Sequence, residues 1–361
     1  MQITSKILLV FFLSAAIVFP MPAQAGPAYR IIDTHEHIGS FDRADELSGA
    51  MENLGIEKTI LLPSPVETLT ANGKKSFTGY RKNVDEILKI TKAYPEKFIP
   101  LCTVNATEPN ALLYLKHCVK RGGRGLKLYN GHSYFYSVLK TPLDGTPLLA
   151  LYAYAEKIHL PLLFHINIQK YQKEFENALA KYPDLVVSVP HFMVSSLSLP
   201  RVERLLAKYP NLYTDISFGS PEFMAAGLRR ISGRPQDYAD FFRRYPDRIL
   251  FGTDMVITET ESKDQAFMEA VIRCYRDMLE KETYACAPVN DYYREKMENA
   301  QKEYETCKPK TGSFCAAKKT KWAVAVKSYE GTRQMNGLGL DPSLLEKIYW
   351  ENPNRFLTGN L

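Results

Sequence analysis

Short runs of apolar and β-branched residues alternate along the chain with segments of helical period. Eight of these runs are predicted strands: Arg30–His37, Lys58–Leu62, Phe98–Val104, Gly125–Leu128, Pro161–His165, Val186–His191, Leu212–Ile216 and Ile249–Gly252. Most of them are apolar without interruption, as expected of strands buried on both faces of a parallel sheet. The pattern therefore predicts eight strands, each followed by a helix.

Amphipathic segments between the strands are predicted helices: Val84–Ala93, Ala111–Lys120, Pro147–Ile158, Phe175–Lys181, Val202–Lys208 and Tyr238–Arg244. Four helical stretches end in a Tyr-Pro pair, at Tyr94, Tyr182, Tyr209 and Tyr245. Proline cannot continue a helix, so these pairs mark turns into the next strand. Eight such units predict an α/β fold, a (β/α)8 TIM barrel. An open doubly wound sheet is the alternative, but it is disfavoured because no glycine-rich turn follows the first strand.

Three segments exceed the minimal βα unit. Ser64–Arg81 and Tyr129–Thr146 are predicted long loops after strands 2 and 4, at the end where a barrel has its active-site mouth. The third, at about residues 280–321, is a predicted surface insertion, partly helical and rich in Lys, Glu and Tyr. A last helix near Ser343–Trp350 is expected to close the barrel.

The N-terminus has the pattern of a cleavable secretory signal. Ile7–Phe19 is apolar except for Ser14, and small residues at Ala23 and Ala25 fit a cleavage site after Ala25. An uncleaved membrane anchor is the alternative, but the apolar run is shorter than the roughly 20 residues that span a bilayer. We therefore expect residues 1–25 to be removed and residues 26–361 to form an exported barrel domain, periplasmic or secreted, without a membrane span.

Composition and net charge limit the kinds of molecule that the protein is expected to bind. With 45% hydrophobic residues the chain is typical of a packed globular protein, which excludes a disordered one. The 46 Lys and Arg against 40 Asp and Glu give a charge of +6, spread along the chain without a basic tail. This surplus is too small to indicate nucleic-acid binding, so the expected partner is a small-molecule substrate, and a homo-oligomer is possible.

In an exported protein the clustered cysteines suggest disulfides. Cys274, Cys286, Cys307 and Cys315 lie close together in the sequence and permit three pairings. We favour Cys307 with Cys315 and Cys274 with Cys286. A metal cluster is the alternative, disfavoured because there is no C-x-x-C pair and no histidine after His191.

Four histidines and one acid fall at predicted strand ends. His35 and His37 are two residues apart on strand 1, so their side chains share a face, and Glu36 points the opposite way. The others end strands 5, 6 and 8: His165, His191 and Asp254. One histidine at a strand end is more often a structural hydrogen-bonding group, but the C-terminal ends of all barrel strands meet at one mouth. Imidazoles with a carboxylate suit Zn2+, or Mn2+ or Fe2+, with a position left for water.

Short motifs containing these residues occur in a characteristic order: Ile32–Ile38 (IDTHEHI), Gly125–Leu128 (GLKL), Phe164-His165, Val189–His191 (VPH), Leu250–Asp254 (LFGTD) and Glu351–Phe356 (ENPNRF). In this ordered set the sequence resembles the amidohydrolase superfamily, in its branch of small metal-dependent hydrolases and decarboxylases. Three features depart from the family pattern: Met255-Val256 after the strand-8 acid, the exported setting and the cysteine-containing insertion.

The resemblance implies one divalent metal, for which the ligand chemistry favours Zn2+, and four ligands: His35, His37, His165 and Asp254. His191 would polarise the substrate carbonyl or hold the attacking water. Asp254 would also serve as general base. In two-metal relatives a carboxylated lysine bridges the ions, and Lys127 stands at the corresponding strand; in this branch it is usually a plain cation.

These parts predict a metal-dependent hydrolase that cleaves an amide, a lactone or another ester. The alternatives are a non-oxidative decarboxylase of an aromatic or muconate-type acid, and a non-catalytic exported binding protein that has kept the fold. Residues around strand 4 are candidates for substrate binding: Arg124, Lys127, Tyr129 and His132. They combine charge with aromatic surface, although a tyrosine-rich loop can also simply cover the barrel rim.

Overall fold

A computed structural model describes residues 29–70, 76–194, 198–258, 261–307 and 313–358, so the predicted signal segment lies outside the described residues. The strands are β1 (Ile31–Glu36), β2 (Ile56–Leu61), β3 (Phe98–Pro100), β4 (Cys102–Thr103), β5 (Leu126–Gly131), β6 (Leu162–Ile166), β7 (Val187–Ser188), β8 (Leu212–Asp215), β9 (Ile249–Leu250), β10 (Thr283–Tyr284) and β11 (Met335–Asn336).

The parallel strands close into the predicted barrel. β1, β2 and β3 pair in sequence order, and so do β4 to β9. The third predicted strand supplies both β3 and β4: the N–H of Leu101 donates to Leu61 O at 3.0 Å, and that of Cys102 donates to Gly125 O at 2.8 Å. The last strand region meets the first, because the N–H of Thr34 donates to Phe251 O at 3.0 Å. Eight βα units therefore surround one axis, as predicted.

The α-helices are α1 (Ala44–Leu54), α2 (Val66–Thr70), α3 (Tyr80–Ala93), α4 (Ala111–Lys120), α5 (Ser133–Leu139), α6 (Thr146–Lys157), α7 (Ile168–Lys181), α8 (Pro190–Val194), α9 (Leu199–Lys208), α10 (Pro221–Gly233), α11 (Pro235–Arg244), α12 (Gln265–Glu280), α13 (Ala287–Glu305), α14 (Ser313–Glu330), α15 (Pro342–Glu346) and α16 (Asn352–Thr358). The four Tyr-Pro pairs lie where they were predicted, because their tyrosines directly follow the last residues of α3, α7, α9 and α11.

Three local expectations are corrected. The two long mouth loops contain helices α2 and α5, and β5 continues to Gly131 rather than stopping at Leu128. The predicted strand Val186–His191 keeps strand pairing only in β7. Beyond it the chain turns left-handed, with φ of 61° at His191 and 51° at Val194, so α8 is a left-handed turn rather than the end of a strand.

Apolar side chains fill the interior of the barrel, and the C-terminal segment covers the end opposite the strand C-termini. Leu163, Tyr213 and Leu250 are buried in one cluster with Phe356 of α16, and the Tyr213 and Phe356 rings are 5.8 Å apart. The predicted closing helix consists of α15, a π-helical turn over Lys347–Glu351, and α16.

Three disulfides connect neighbouring elements. Cys274–Cys286 and Cys307–Cys315 are the two pairs favoured from the sequence. The third, Cys102–Cys118, joins β4 to α4. Gly123 leaves room for it, because a Cβ there would lie 2.2 Å from Cys102 Sγ.

The predicted insertion contains a helical hairpin formed by α13 and α14, and α14 continues to Glu330. Tyr304 stacks on Trp322 at 5.5 Å across the hairpin, and Arg229 of α10 donates to Ser328 at 3.2 Å. No helix within the described ranges is long and apolar enough to cross a membrane.

Candidate metal centre

A cavity of about 600 Å3 opens at the C-terminal ends of the barrel strands. Its lining includes all five residues that the sequence placed at strand ends: His35, His37, His165, His191 and Asp254. His35 and His37 extend from the same face of β1, as their spacing predicted, and both are at most 3% exposed. The barrel therefore gathers residues that are more than 200 positions apart in the sequence.

Hydrogen bonds fix the Nδ1 atoms of His35 and His37. His35 Nδ1 lies 2.7 Å from Asp215 Oδ2. His37 Nδ1 lies 3.1 Å from Leu62 O and 2.6 Å from Ser64 Oγ. A carboxylate and a carbonyl only accept hydrogen bonds, so each Nδ1 carries the proton and each Nε2 keeps its lone pair.

His191 is fixed in the same way. Its Nδ1 lies 2.9 Å from Ser217 O, and its backbone N–H donates to Asp215 Oδ1 at 2.9 Å. The left-handed turn of α8 is what presents this backbone N–H to Asp215. Each of the three imidazoles thus has an acceptor for its Nδ1 proton and keeps a lone pair on Nε2, the arrangement in which histidine binds metals.

The Nε2 atoms converge on one carboxylate. Asp254 Oδ1 is 3.4 Å from His37 Nε2 and 3.6 Å from His35 Nε2, while Asp254 Oδ2 is 3.6 Å from His191 Nε2. Asp254 Oδ1 is buried and has no hydrogen-bond partner among the described residues. Gly219 makes room beside it, since a Cβ there would lie 2.7 Å from Asp254 Oδ2. A buried, unpaired carboxylate oxygen facing imidazole lone pairs fits a divalent cation.

Burial keeps these imidazoles neutral. It lowers the pKa of His35 to about 3, with a further contribution from the charge of Lys127, and it lowers the pKa of His191 to about 4. Desolvation also lowers the pKa of His37. Neutral imidazole is the form that ligates metals.

His191 lies in one compact group with two of the expected ligands. One ligand atom from each of His35, His191 and Asp254 lies within 4.8 Å of the others. His165 lies at the edge of this group, with its ring 4.9 Å from the His191 ring and 4.6 Å from the His132 ring.

Lys127 stands inside the cluster although its side chain is charged. It is 1% exposed, and its Nζ lies 3.3 Å from His35 Nε2 and 5.1 Å from the centre of the Tyr129 ring. Burial lowers its pKa to about 8, while Asp254 and Asp215 act in the opposite direction.

The candidate substrate-binding residues fall into two groups. Lys127, Tyr129 and His132 line the mouth cavity together with Phe135 and Phe223. Arg124 lies at the opposite end of the barrel, where its N–H donates to Pro100 O before β5 begins. The expectation that Arg124 binds substrate at the mouth is therefore wrong: it precedes its strand and lies at the end of the barrel away from the cavity.

Sequence reasoning missed Asp215 and Ser217, which hold the imidazoles. Asp215 is the last residue of β8, which corresponds to the seventh predicted strand. Polar residues at the C-terminal ends of strands face the mouth, so this position could have been identified in the same way as Asp254. Ser217 Oγ lies 2.7 Å from Asp215 Oδ1 and 2.9 Å from His191 Nδ1. No sequence pattern indicates this contact.

A family model described as amidohydrolase matches residues 32–282. Among solved structures, a protein described as amidohydrolase II is 13% identical, with a TM-score of 0.51 and coverage of 91% of this chain and 99% of that one. An amidohydrolase from Burkholderia multivorans with bound HEPES is 13% identical, with a TM-score of 0.50 and coverage of 69% and 92%. A 4-oxalomesaconate hydratase from Rhodopseudomonas palustris is 13% identical, with a TM-score of 0.49 and coverage of 91% and 96%. No curated protein matches the sequence.

Proposed function

Because the chain belongs to the amidohydrolase family of metal-dependent enzymes, we propose that it is an exported hydrolase cleaving an amide, lactone or ester bond of a small molecule. The observation that carries this proposal is the convergence of imidazole Nε2 atoms on the buried, unpaired oxygen of Asp254. In a TIM barrel the mouth is where catalysis takes place.

His35, His37, His165 and Asp254, the ligand set inferred from the family resemblance, would hold one divalent ion, with Zn2+ as the proposed metal. His191 borders the same position. When bound, the ion would make a nucleophile available from water at neutral pH and polarise the scissile carbonyl.

The protein side chains would move the protons and hold the substrate. The Asp254 carboxylate has two oxygens, so it could bind the ion through one of them and use the other to accept a proton and return it to the leaving group. His191, kept neutral by burial and oriented by Ser217 O, offers an Nε2 lone pair towards the same place. The Lys127 ammonium would stabilise negative charge on the substrate, and Tyr129, His132 and Phe135 would pack against a small aromatic or carboxylated compound.

Export is supported by the disulfides. The described residues contain three, including the pair between β4 and α4 inside the barrel wall. Disulfides persist in oxidising compartments and are rare in the cytosol. We propose that residues 1–25 are a signal segment and that the protein works in the periplasm or outside the cell.

The first test is the metal content of the purified mature protein and of a His35→Ala, His37→Ala variant. The wild type should hold one divalent ion per chain and the variant none. His117→Ala is a matched control, since His117 is exposed on α4. A wild-type protein without stoichiometric metal under metal-replete conditions would contradict the proposal.

The second test is a screen of lactones, N-acyl amino acids and carboxylated aromatics, with a chelator as control. A hydrolase incorporates oxygen from 18O-labelled water into its product and stops when the metal is removed. Release of CO2 without water uptake would instead identify a decarboxylase. Turnover that persists after the metal is removed would exclude both the metal-dependent hydrolase and the metal-dependent decarboxylase.

A further inference from the structure

The loop that carries Asp254 has an unusual backbone. Asp254 has a φ of 53° and Val256 a φ of 54°, and both therefore lie in the left-handed region. Residues other than glycine are rare there, and a β-branched valine is especially disfavoured. Such a conformation persists only where surrounding contacts hold it.

Glu36 contacts this loop from the barrel side. Its Oε1 accepts hydrogen bonds from the N–H of His37 at 2.8 Å and of Val256 at 3.0 Å. Its Oε2 accepts from the N–H of Met255 and from Thr253 Oγ1, both at 3.0 Å. Glu36 is 0% exposed, so these donors replace all of its hydration.

Lys263 contacts the same loop from the other side. Its Nζ donates to Met255 O at 2.8 Å and to Val256 O at 2.6 Å. The peptide groups of Met255 and Val256 are therefore held at the N–H by a carboxylate and at the C=O by an ammonium. Charge-assisted hydrogen bonds of this kind are roughly twice as strong as neutral ones.

We propose that Glu36 is a positioning residue that, together with Lys263, holds the loop of residues 253–256 in its left-handed conformation and so directs the Asp254 carboxylate at the imidazoles. We call the two residues the loop clamp. The inference rests on the proposed function, because it assigns a role relative to a metal that Asp254 would bind. Glu36 does not touch that position itself, since it lies on the face of β1 opposite to His35 and His37.

The clamp also couples two groups of candidate ligands. Glu36 accepts from the N–H of His37 through the same oxygen that accepts from Val256. Loss of the carboxylate would therefore affect the backbone at His37 as well as the loop of Asp254. Removing a residue that hydrogen-bonds to a metal ligand typically weakens metal affinity by about 10- to 100-fold.

The experiment compares Glu36→Gln and Lys263→Met with a matched control in the full mature chain. Glu57→Gln is the control, because Glu57 is an acid on β2 that pairs with the exposed Arg30 at 2.8 Å, away from the mouth. Three quantities are measured: Zn2+ affinity by competition with a chromophoric chelator, the visible spectrum of the Co2+-saturated protein, and the melting temperature.

Both clamp variants should bind Zn2+ about 10- to 100-fold more weakly and show an altered Co2+ spectrum at saturation, whereas Glu57→Gln should match the wild type. A purely structural role would lower the melting temperature but leave the spectrum and the affinity unchanged, and that result would overturn the inference. If Glu36→Gln does not fold, Lys263→Met decides by the same criteria.

Asp254→Asn separates this inference from the proposed function. If Asp254→Asn weakens Zn2+ binding while both clamp variants bind as the wild type does, only the loop clamp is wrong. If Asp254→Asn itself binds Zn2+ normally, the metal site and the clamp are both wrong.

Discussion

The barrel mouth and the helical hairpin of α13 and α14 are built in opposite ways. At the mouth, polar groups such as His35, Glu36 and Lys127 are at most 1% exposed and have specific partners. In the hairpin, apolar side chains face solvent: Phe314 is 71% exposed and Val324 61%. Within the described part of α14 no side chain is buried.

The difference shows where a substitution should matter. A buried polar group without its partner costs about 1–3 kcal/mol, and more if it is charged. A contact at an exposed helix surface contributes only about 0.2–1 kcal/mol to stability. We therefore expect single changes at the mouth to have large effects on activity, and changes in the hairpin to have small, local effects.

The largest effect should come from Asp254→Asn. The substitution keeps the shape of the side chain but removes its charge and its ability to accept a proton, so kcat should fall about 10^2- to 10^4-fold. The matched control is Asp247→Asn, which removes a half-exposed acid paired with Lys347 at 2.7 Å. Steady-state kinetics on any substrate found by the screen measure both; equal loss in the two variants would contradict a specific role for the mouth.

The second-largest effect should come from removing the disulfide in the barrel wall, and it concerns the stability of the fold. The disulfide Cys102–Cys118 closes a segment with a sequence separation of 16, and both residues are at most 2% exposed. Replacing both with alanine should lower the free energy of unfolding by about 3 kcal/mol, because the unfolded chain gains conformational freedom. Urea denaturation of the double variant and the wild type gives this difference, and an unchanged midpoint would contradict the prediction.

A third prediction separates the two ends of the barrel. Lys127→Met removes a cation from the mouth and should lower kcat/KM by about 10- to 100-fold, since one charged donor near a developing oxyanion contributes that much or more. Arg124→Met removes a cation at the opposite end and should stay within about two-fold, as surface charges do. If Arg124→Met proves as damaging as Lys127→Met, the opposite end takes part in catalysis.

The regular parts of the molecule could be predicted from the sequence for physical reasons. Buried parallel strands need continuous apolar runs, and proline ends helices, so the strands and the four Tyr-Pro turns followed from local rules. The alternation along β1 placed His35 and His37 on one face and Glu36 on the other. These features depend on short segments alone.

The rest of the site depends on contacts between distant segments. The left-handed turn at His191 contains no glycine and has no signal in its residues, because its conformation is held by tertiary contacts such as the hydrogen bond from the His191 backbone N–H to Asp215. His191, whose Nε2 lies 3.6 Å from Asp254 Oδ2, is the first residue of that turn with a positive φ. The Glu36 contacts with Met255 and Val256 join residues about 220 positions apart, which no local pattern reports.

The smallest effect should come from the hairpin disulfide. Cys307–Cys315 joins the segment after α13 to α14, and α14 contacts the barrel through pairs such as Arg229 with Ser328. Replacing both cysteines with alanine should release the hairpin locally, which would appear as faster hydrogen exchange and proteolysis between α13 and α14. We expect kcat/KM to be unchanged and the barrel melting temperature to shift by no more than about 2 °C, because the closed loop lies wholly within a segment that can open by itself. A shift as large as that of the Cys102–Cys118 variant would mean that hairpin and barrel unfold as one unit, and the contrast between the two regions would then hold for activity but not for stability.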